Sequence, residues 1–460
     1  MRVTPRRVLI ATFGSLGDLH PYLALALALR DRGHLPAIAT HASHRLKVEA
    51  EGVPFFAVRP DPAEWGQDPA AMRRAWRPID GPRFLLNDIV LANLADSHAD
   101  LDAAVQAHGA QLLLSHPMTF SIPMIAEARG VPWLSTVLAP GMLPSSQDPL
   151  ALPFAPWLLD ALGRVPAVGT RLVGATLRGL RRAARGWAQP LHAMRAELGL
   201  PATTRDLLVD GQFSALGTLA LFSRTMASPR SDWPARVTIT GFPFYDRPGD
   251  DPAVGGRFGA AQAEALEAFL SAGAPPIAFT LGSAAVLDAR DFWLHAISAT
   301  RAVGRRAVLL VGPGASQQLP APLPSNIAAF EYAPHSLLFP RACAIVHQGG
   351  IGTTAQALRA GVPQLVVPFG FDQPDNARRM ARLGVAHVLP RRRWDAARAT
   401  LALERLFADR HAPWRAFELA AHVQAEDGAA AACDAIERAL VAEVAAMPVE
   451  AGALAAIGAG

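Results

Sequence analysis

Short apolar runs alternate with longer amphipathic stretches along most of this chain. Arg7 to Phe13 is apolar and runs into a glycine turn, which predicts a buried strand. Tyr22 to Arg32 (YLALALALRDR) predicts a helix stopped by Gly33. Pro36–Thr40, Gln111–Ser115 and Trp133–Leu138 predict further strands, with the helical stretch Ile122–Arg129 between the last two. Apolar strands in strand–helix–strand order argue a parallel sheet covered on both faces.

The pattern then restarts. Ile277–Leu281, Ala307–Val311, Ile327–Tyr332, Ala344–His347 and Gln364–Pro368 predict strands, and Thr353–Ala360 and Asn376–Leu383 predict helices. Between the two α/β halves lies GFPFYDRPGDDPAVGG, from Gly241 to Gly256, whose proline, glycine and aspartate content reads as a linker. The expected organisation is a first domain over 1–240, a linker over 241–256, a second domain over 257–440 and a disordered Ala/Gly-rich tail over 441–460. Ligands of such sheets bind at the C-terminal ends of the strands, so the cleft between the halves is the expected site.

Composition sets limits. A chain of 460 residues with 51% hydrophobic and 18% charged residues has a core and is not disordered throughout. A net charge of +4 is not a nucleic-acid footprint, although the 43 basic side chains include a single lysine, Lys47. Two cysteines exclude a disulfide scaffold and a multi-cysteine zinc site. The first apolar run is interrupted by Gly14, Gly17 and Asp18 and has no cleavage signal, so it does not read as a signal peptide. Prolines break the uncharged runs Ala103–Ala126 and Ala307–Phe330, so neither reads as a membrane span. The expected location is the cytoplasm.

Residues 161–196 carry seven arginines and no acid. Arg164, Arg171, Arg178 and Arg185 recur every seven residues, which predicts one helical stripe. Peripheral contact with the inner membrane face is one reading; a solvated helix face is the preferred one.

The densest chemistry lies between Tyr332 and Gln373. His347-Gln-Gly-Gly-Ile-Gly-Thr-Thr354 follows a strand and opens a helix, where glycines and free N–H groups attract phosphate. A tight turn with a buried histidine would look the same. A second strand ends in Asp372-Gln373, a carboxylate beside an amide, suited to sugar hydroxyls. Tyr332-Ala-Pro-His335 ends a third. In the first half, Gly14-Ser-Leu-Gly-Asp-Leu-His-Pro21 closes the first strand.

These segments resemble the signature of family-1 glycosyltransferases of the GT-B fold, over about Arg7 to Leu440. The resemblance implies two Rossmann-like parallel-sheet domains facing across a cleft. It implies base contacts at Tyr332, Ala333 and His335, and diphosphate contacts at His347, Gly349, Gly350, Ile351, Gly352 and Thr353. It implies donor-sugar contacts at Asp372 and Gln373, and a further donor-facing turn at Thr280–Ser283 that includes Ser283. Many members carry a histidine base after the first strand; bacterial and sterol-type members read Gly-Asp, as here, so Asp18 is the candidate general base. A helix cap is the plainer role for Asp18. Plant members have a ribose-binding glutamate where this chain has Ala355, which is compatible with a deoxyribose nucleotide such as TDP. The resemblance also implies inversion at the anomeric carbon and neither a cofactor nor an obligatory metal.

Ser231-Asp-Trp-Pro234, Thr240–Asp246 and Asp372–Asn376 narrow the likeness to the catalytic chain of bacterial rhamnolipid rhamnosyltransferases. That implies a TDP- or UDP-linked donor, at best TDP-rhamnose, and an apolar hydroxyl-bearing acceptor such as a 3-hydroxyacyl chain. Trp65, Trp76, Phe84 and the Pro140–Trp157 stretch are expected to line the acceptor side, with Ser15 and His20 as further acceptor contacts. Ordinary core and lid packing explains the aromatics equally well. His116 falls where related enzymes place a base-orienting carboxylate; an aspartate base needs no relay, so His116 receives no role. Asp100-Leu-Asp102 lies within an apparent helix, its side chains about 200° apart, and reads as solvated surface rather than a metal site. A UDP-glucose-dependent transferase acting on a sterol or macrolide is the near alternative. A nucleotide-sugar epimerase is the alternative of another class.

Overall fold

The computed structural model describes residues 4–61, 68–152, 154–246, 258–314 and 319–446. Within these, the apolar runs become strands of two all-parallel sheets. The first contains β1 (Arg7–Ala11), β2 (Leu35–Thr40), β3 (Phe55–Ala57), β4 (Leu112–Ser115), β5 (Trp133–Val137), β6 (Thr218–Ala220) and β7 (Val237–Ile239). Their order is β3-β2-β1-β4-β5-β6-β7. The second contains β8 (Ile277–Thr280), β9 (Ala307–Leu310), β10 (Ile327–Phe330), β11 (Ala344–His347), β12 (Gln364–Val366) and β13 (Ala386–Val388), in the order β10-β9-β8-β11-β12-β13.

Each sheet reverses its winding once, between β1 and β4 and between β8 and β11. A crevice opens beyond the strand ends at such a reversal. In register, Ala11 lies opposite Ser115, so the turn after β1 and the turn after β4 emerge side by side. Val346 pairs with Phe279, which places the turns after β8 and β11 together in the same way. The centres of β1, β4, β8 and β11 are fully buried, and each leucine or isoleucine there contributes about 1.5–3 kcal/mol.

The elements differ from the sequence expectation in three places, and a fourth element had no expectation. The first helix starts at Leu16, not Tyr22, because Ser15 caps it; Pro21 is carried inside. The arginine stripe is not one helix: Arg164 caps the helix Leu158–Gly163, Arg171 and Arg178 lie on Gly169–Ala184, and Arg185 starts a separate tight turn. Phe84–Leu91 forms a π-helix, a rare form that recurs at functional sites. The last helix runs from Gly428 to Ala446, past the expected start of disorder; residues 447–460 lie outside the described residues.

That last helix crosses back. Cys433 and Ile436 join the core of the first half beside Leu23 and Leu29, although chain order put 428–440 with the second half. Arg32 donates to Asp434 at 2.5 Å. The described part of the linker is fastened to both halves. The Tyr245 hydroxyl donates to Glu51 Oε1 at 2.5 Å, and Asp246 pairs with Arg359 and accepts from Gln356 at 3.1 Å. Among the described residues no helix is long and apolar enough to cross a membrane.

Candidate active site

Asp18 sits in the turn after β1. Its Oδ2 accepts from the Ser15 N–H at 2.7 Å and the Ser15 hydroxyl at 3.2 Å, closing a capping box at the start of the helix. The capping role is therefore real, and it engages one oxygen of the two. Only glycine fits at position 14: its φ is +132°, and a Cβ there would lie 2.3 Å from Asp18 Oδ2. Gly14 is itself held by two histidines. Its N–H donates to His41 Nε2 at 2.9 Å, and its carbonyl accepts from His44 Nε2 at 3.1 Å. The Asp18 side chain keeps 29% exposure, and enclosure by the cleft walls pushes its carboxyl up to about 6.

The opposite wall starts at His347. This ring is completely buried and both nitrogens serve the protein. Nδ1 accepts from the Gly349 N–H at 3.1 Å, and Nε2 donates to Gln364 Oε1 at 2.9 Å. His347 thus shapes the turn from behind instead of reaching into it as the sequence suggested. Gly349 adopts φ +87°, and a Cβ there would lie 2.8 Å from Val366. Gly350 then precedes the helix Ile351–Ala360 with no side-chain cap, so the first N–H groups have no partner within the helix. Ile351 and Thr353 are buried.

Asp372 follows β12 and precedes the helix Gln373–Arg382. Phe371 takes φ +56°, a strained conformation for a side chain with a Cβ. Gln373 Oε1 holds this loop by accepting from the N–H groups of Phe369 at 2.8 Å and Gly370 at 3.2 Å, which leaves its amide N–H for a ligand. Burial, and the charge of Asp18 across the cleft, push the Asp372 carboxyl up to about 7. Asp372 thus feels the charge of Asp18.

Ser283 is exposed beside Gly282, whose φ is +64° and whose N–H donates to Thr280 Oγ1 at 3.2 Å. Ala333 is fully buried, so only its backbone can meet a ligand. Tyr332 packs edge-on against Phe258, and His335 stacks on Phe339 with ring centroids 4.3 Å apart.

The expected acceptor residues divide. Phe84 forms a small apolar cluster with Ala75 and Ile89, and Phe13, which follows β1, and Phe371, which precedes Asp372, pack against that cluster. His20 lies against Tyr245, ring centroids 5.1 Å apart. Trp65 lies outside the described residues. Trp76 packs on Phe369 and Phe371 of the second half. In the Pro140–Trp157 stretch Trp157 is 68% exposed, while Asp148 and Ala151 are fastened to the helix Gln373–Arg382. Asp100 pairs with Arg59 and Asp102 with Arg129, as a solvated surface does.

Three residues without a sequence assignment complete the site. Asn376 Nδ2 donates to Asp372 Oδ2 at 2.7 Å and to the Gly349 carbonyl at 3.0 Å. Arg379 donates to Asp375 Oδ2 at 2.7 Å and to Asp148 Oδ2 at 2.6 Å, joining the two halves. His116 Nε2 lies 3.9 Å from Asp18 Oδ1. The pairs Asn376–Asp372 and Arg379–Asp375 were accessible through helical spacing; the contacts to Gly349, Asp148 and Asp18 cross the chain.

The geometry has relatives. Residues 8–145 match the glycosyltransferase family 28 N-terminal domain, and residues 306–439 match the erythromycin biosynthesis protein CIII-like C-terminal domain. The chain is 30% identical over 437 residues to the O-mycaminosyltylonolide 6-deoxyallosyltransferase of Streptomyces fradiae, covering 94% of this chain and 97% of that one. The chain belongs to the GT-B glycosyltransferases. It is a hexosyltransferase acting with a nucleotide sugar. It is also 27% identical to a sterol 3-beta-glucosyltransferase of Arabidopsis thaliana, over 96% of this chain and 70% of that one. Among solved structures, the glycosyltransferase VinC in complex with dTDP superposes with a TM-score of 0.63, at 23% identity, over 95% of this chain and 100% of that one. The likeness to the catalytic chain of rhamnolipid rhamnosyltransferases finds no counterpart among these relatives.

Proposed function

We propose that this glycosyltransferase moves L-rhamnose from TDP-rhamnose to a hydroxyl of a lipid-like acceptor such as a 3-hydroxyacyl chain, with inversion and with Asp18 as general base. One contact carries the transfer arrangement, with Asp18 facing the diphosphate site. A Cβ at Gly352 would lie 3.7 Å from Gly17 Cα, so the turn holding Asp18 and the helix start expected to hold the diphosphate touch across the cleft.

In the step, the acceptor oxygen bonds to the anomeric carbon and its proton passes to Asp18. The bond from that carbon to the diphosphate breaks, and the electron pair leaves with the diphosphate. N–H groups at the start of Ile351–Ala360 and the helix dipole meet the growing negative charge, without a metal. Asp372 and the Gln373 amide hold sugar hydroxyls, Tyr332 to His335 flank the base, and Ser283 faces the phosphates from the other turn. A base near 6 is ionised and still basic at neutral pH.

The Streptomyces relative's named sugar and rhamnose are both 6-deoxyhexoses, which favours a TDP-linked donor. Phe13, Phe84, Ile89 and Phe371 share an apolar cluster, with Phe13 just before Gly14 and Phe371 just before Asp372, which favours an apolar acceptor. The exposed arginines around Arg171 and Arg178 would then meet the anionic inner membrane face where such an acceptor resides. The similarity to a sterol glucosyltransferase over nearly the whole chain supports a second reading, UDP-glucose with a sterol or macrolide acceptor.

Thermal stabilisation by saturating TDP-rhamnose, UDP-glucose and UDP-N-acetylglucosamine separates the readings, because a ligand of the folded state raises the Tm. Selective stabilisation by TDP-rhamnose supports the proposal. Selective stabilisation by UDP-glucose replaces it with the second reading.

A further inference from the structure

His116 is the first residue after β4, and it is 2% exposed. Its Nδ1 accepts from the Met118 N–H at 3.1 Å. A neutral imidazole that accepts at Nδ1 carries its proton on Nε2. Burial pushes the ring down to about 3, so it stays neutral wherever the enzyme works. The Nε2–H is sealed from solvent and has no hydrogen-bond partner. Buried donors are almost always satisfied, so an orphan facing a reactive group needs a reason. This one faces Asp18 Oδ1 at 3.9 Å, beyond hydrogen-bond range but one small side-chain shift away. Ser15 already holds Oδ2, so Oδ1 is the oxygen left for substrate.

We propose that His116 positions the Asp18 base, donating its Nε2–H to Oδ1 once the carboxylate is ionised. The proposal rests on Asp18 being the base. Oδ1 has lone pairs for both His116 and the acceptor hydroxyl. During transfer the acceptor proton moves to Oδ1, and His116 keeps its own proton throughout. The other groups around Asp18 work differently. Asp372, whose own carboxyl is pushed up by the charge of Asp18, is the acidic group across the cleft. Ser15 favours it from its own turn. Tyr22, one turn along the helix, is tied to Thr136 at 2.5 Å, and His41 behind His116 is held neutral by burial. His116 is thus the donor that aims the free oxygen.

A thermal double-mutant cycle tests this without any ligand. The variants are His116→Asn, Asp18→Ala and the pair, melted at pH 5 and pH 8. The shorter Asn side chain keeps an acceptor for Met118 and lacks a donor with the reach of Nε2. The expected result is a coupling between the two positions that is larger at pH 8, where Asp18 is charged, by about 1–2 °C in Tm. Equal coupling at both values, or none, overturns the proposal.

Activity with TDP-L-rhamnose and 3-hydroxydecanoate supplies the second readout. His116→Asn should lower kcat about tenfold and move the acid limb of kcat/KM upward by about half a pH unit. His116→Gln, whose amide N–H has the reach of Nε2, should bring the limb back. An unmoved limb in His116→Asn, with Asp18→Asn inactive, means that His116 only packs. An active Asp18→Asn removes the base assignment itself, whatever the cycle shows.

Discussion

Asn376 Nδ2 lies 2.7 Å from Asp372 Oδ2, and the same amide nitrogen lies 3.0 Å from the Gly349 carbonyl. One side chain therefore clamps the carboxylate after β12 to the glycine turn after β11. Sugar and diphosphate contacts on this account share a single brace. Asn376→Leu keeps the volume and removes the brace. Loss of a hydrogen bond to a charged group is worth about 1.5–3 kcal/mol, so donor affinity should fall about tenfold or more. Titration calorimetry with the stabilising donor checks it.

Gly14→Ala tests the placement of Asp18 from the other side. A Cβ at this position would lie 2.3 Å from Asp18 Oδ2, in a backbone conformation that side chains rarely adopt. Asp18 must move. Turnover should fall by about a hundredfold, in line with loss of a positioned base, while donor affinity stays within about threefold.

Arg379 joins the halves through Asp148, and all three of Arg379, Asp148 and Asp375 are buried. Removing the cation takes the buried partner from two carboxylates, leaving Arg378 for Asp375 and Arg382 for Asp148. Arg379→Ala should lower stability by about 2–3 kcal/mol in urea melts, less than a fully uncompensated charge would cost. Arg379→Ala combined with Asp148→Ala should cost less than the two separate losses summed.

The raised pKa of Asp372 predicts a pH dependence of stability. Between its usual value of 3.8 and about 7, the folded state holds this proton more tightly than the unfolded state does. Stability should therefore fall as pH rises through that window and level off above it. Asp372→Asn should raise the Tm at pH 8 relative to wild type, with little change at pH 4, and should weaken donor binding. A wild-type Tm that rises across the window by way of this residue would contradict the assignment.

The sheet was legible because parallel strands buried on both faces are plain apolar runs, and the glycine turns mark where they end. β3, β6, β7 and β13, three residues each, were too short to show a period. Asp18 and Asp372 stood out because their turns have a recognisable composition. His347 was legible as a position but not as a role: its two bonds, to Gly349 and Gln364, are invisible to spacing. The same holds for His116, which meets Asp18 only because β1 and β4 are neighbours, and for Arg379, whose partner Asp148 is far away in sequence.

The most direct test of the account is Asp18→Asn, assayed for donor binding and for nucleoside diphosphate release with and without a 3-hydroxyacyl acceptor. The account predicts donor affinity within about threefold of wild type and acceptor-dependent release reduced by about a hundredfold or more. Release within about tenfold of wild type would contradict it, because a general base cannot be replaced by an amide.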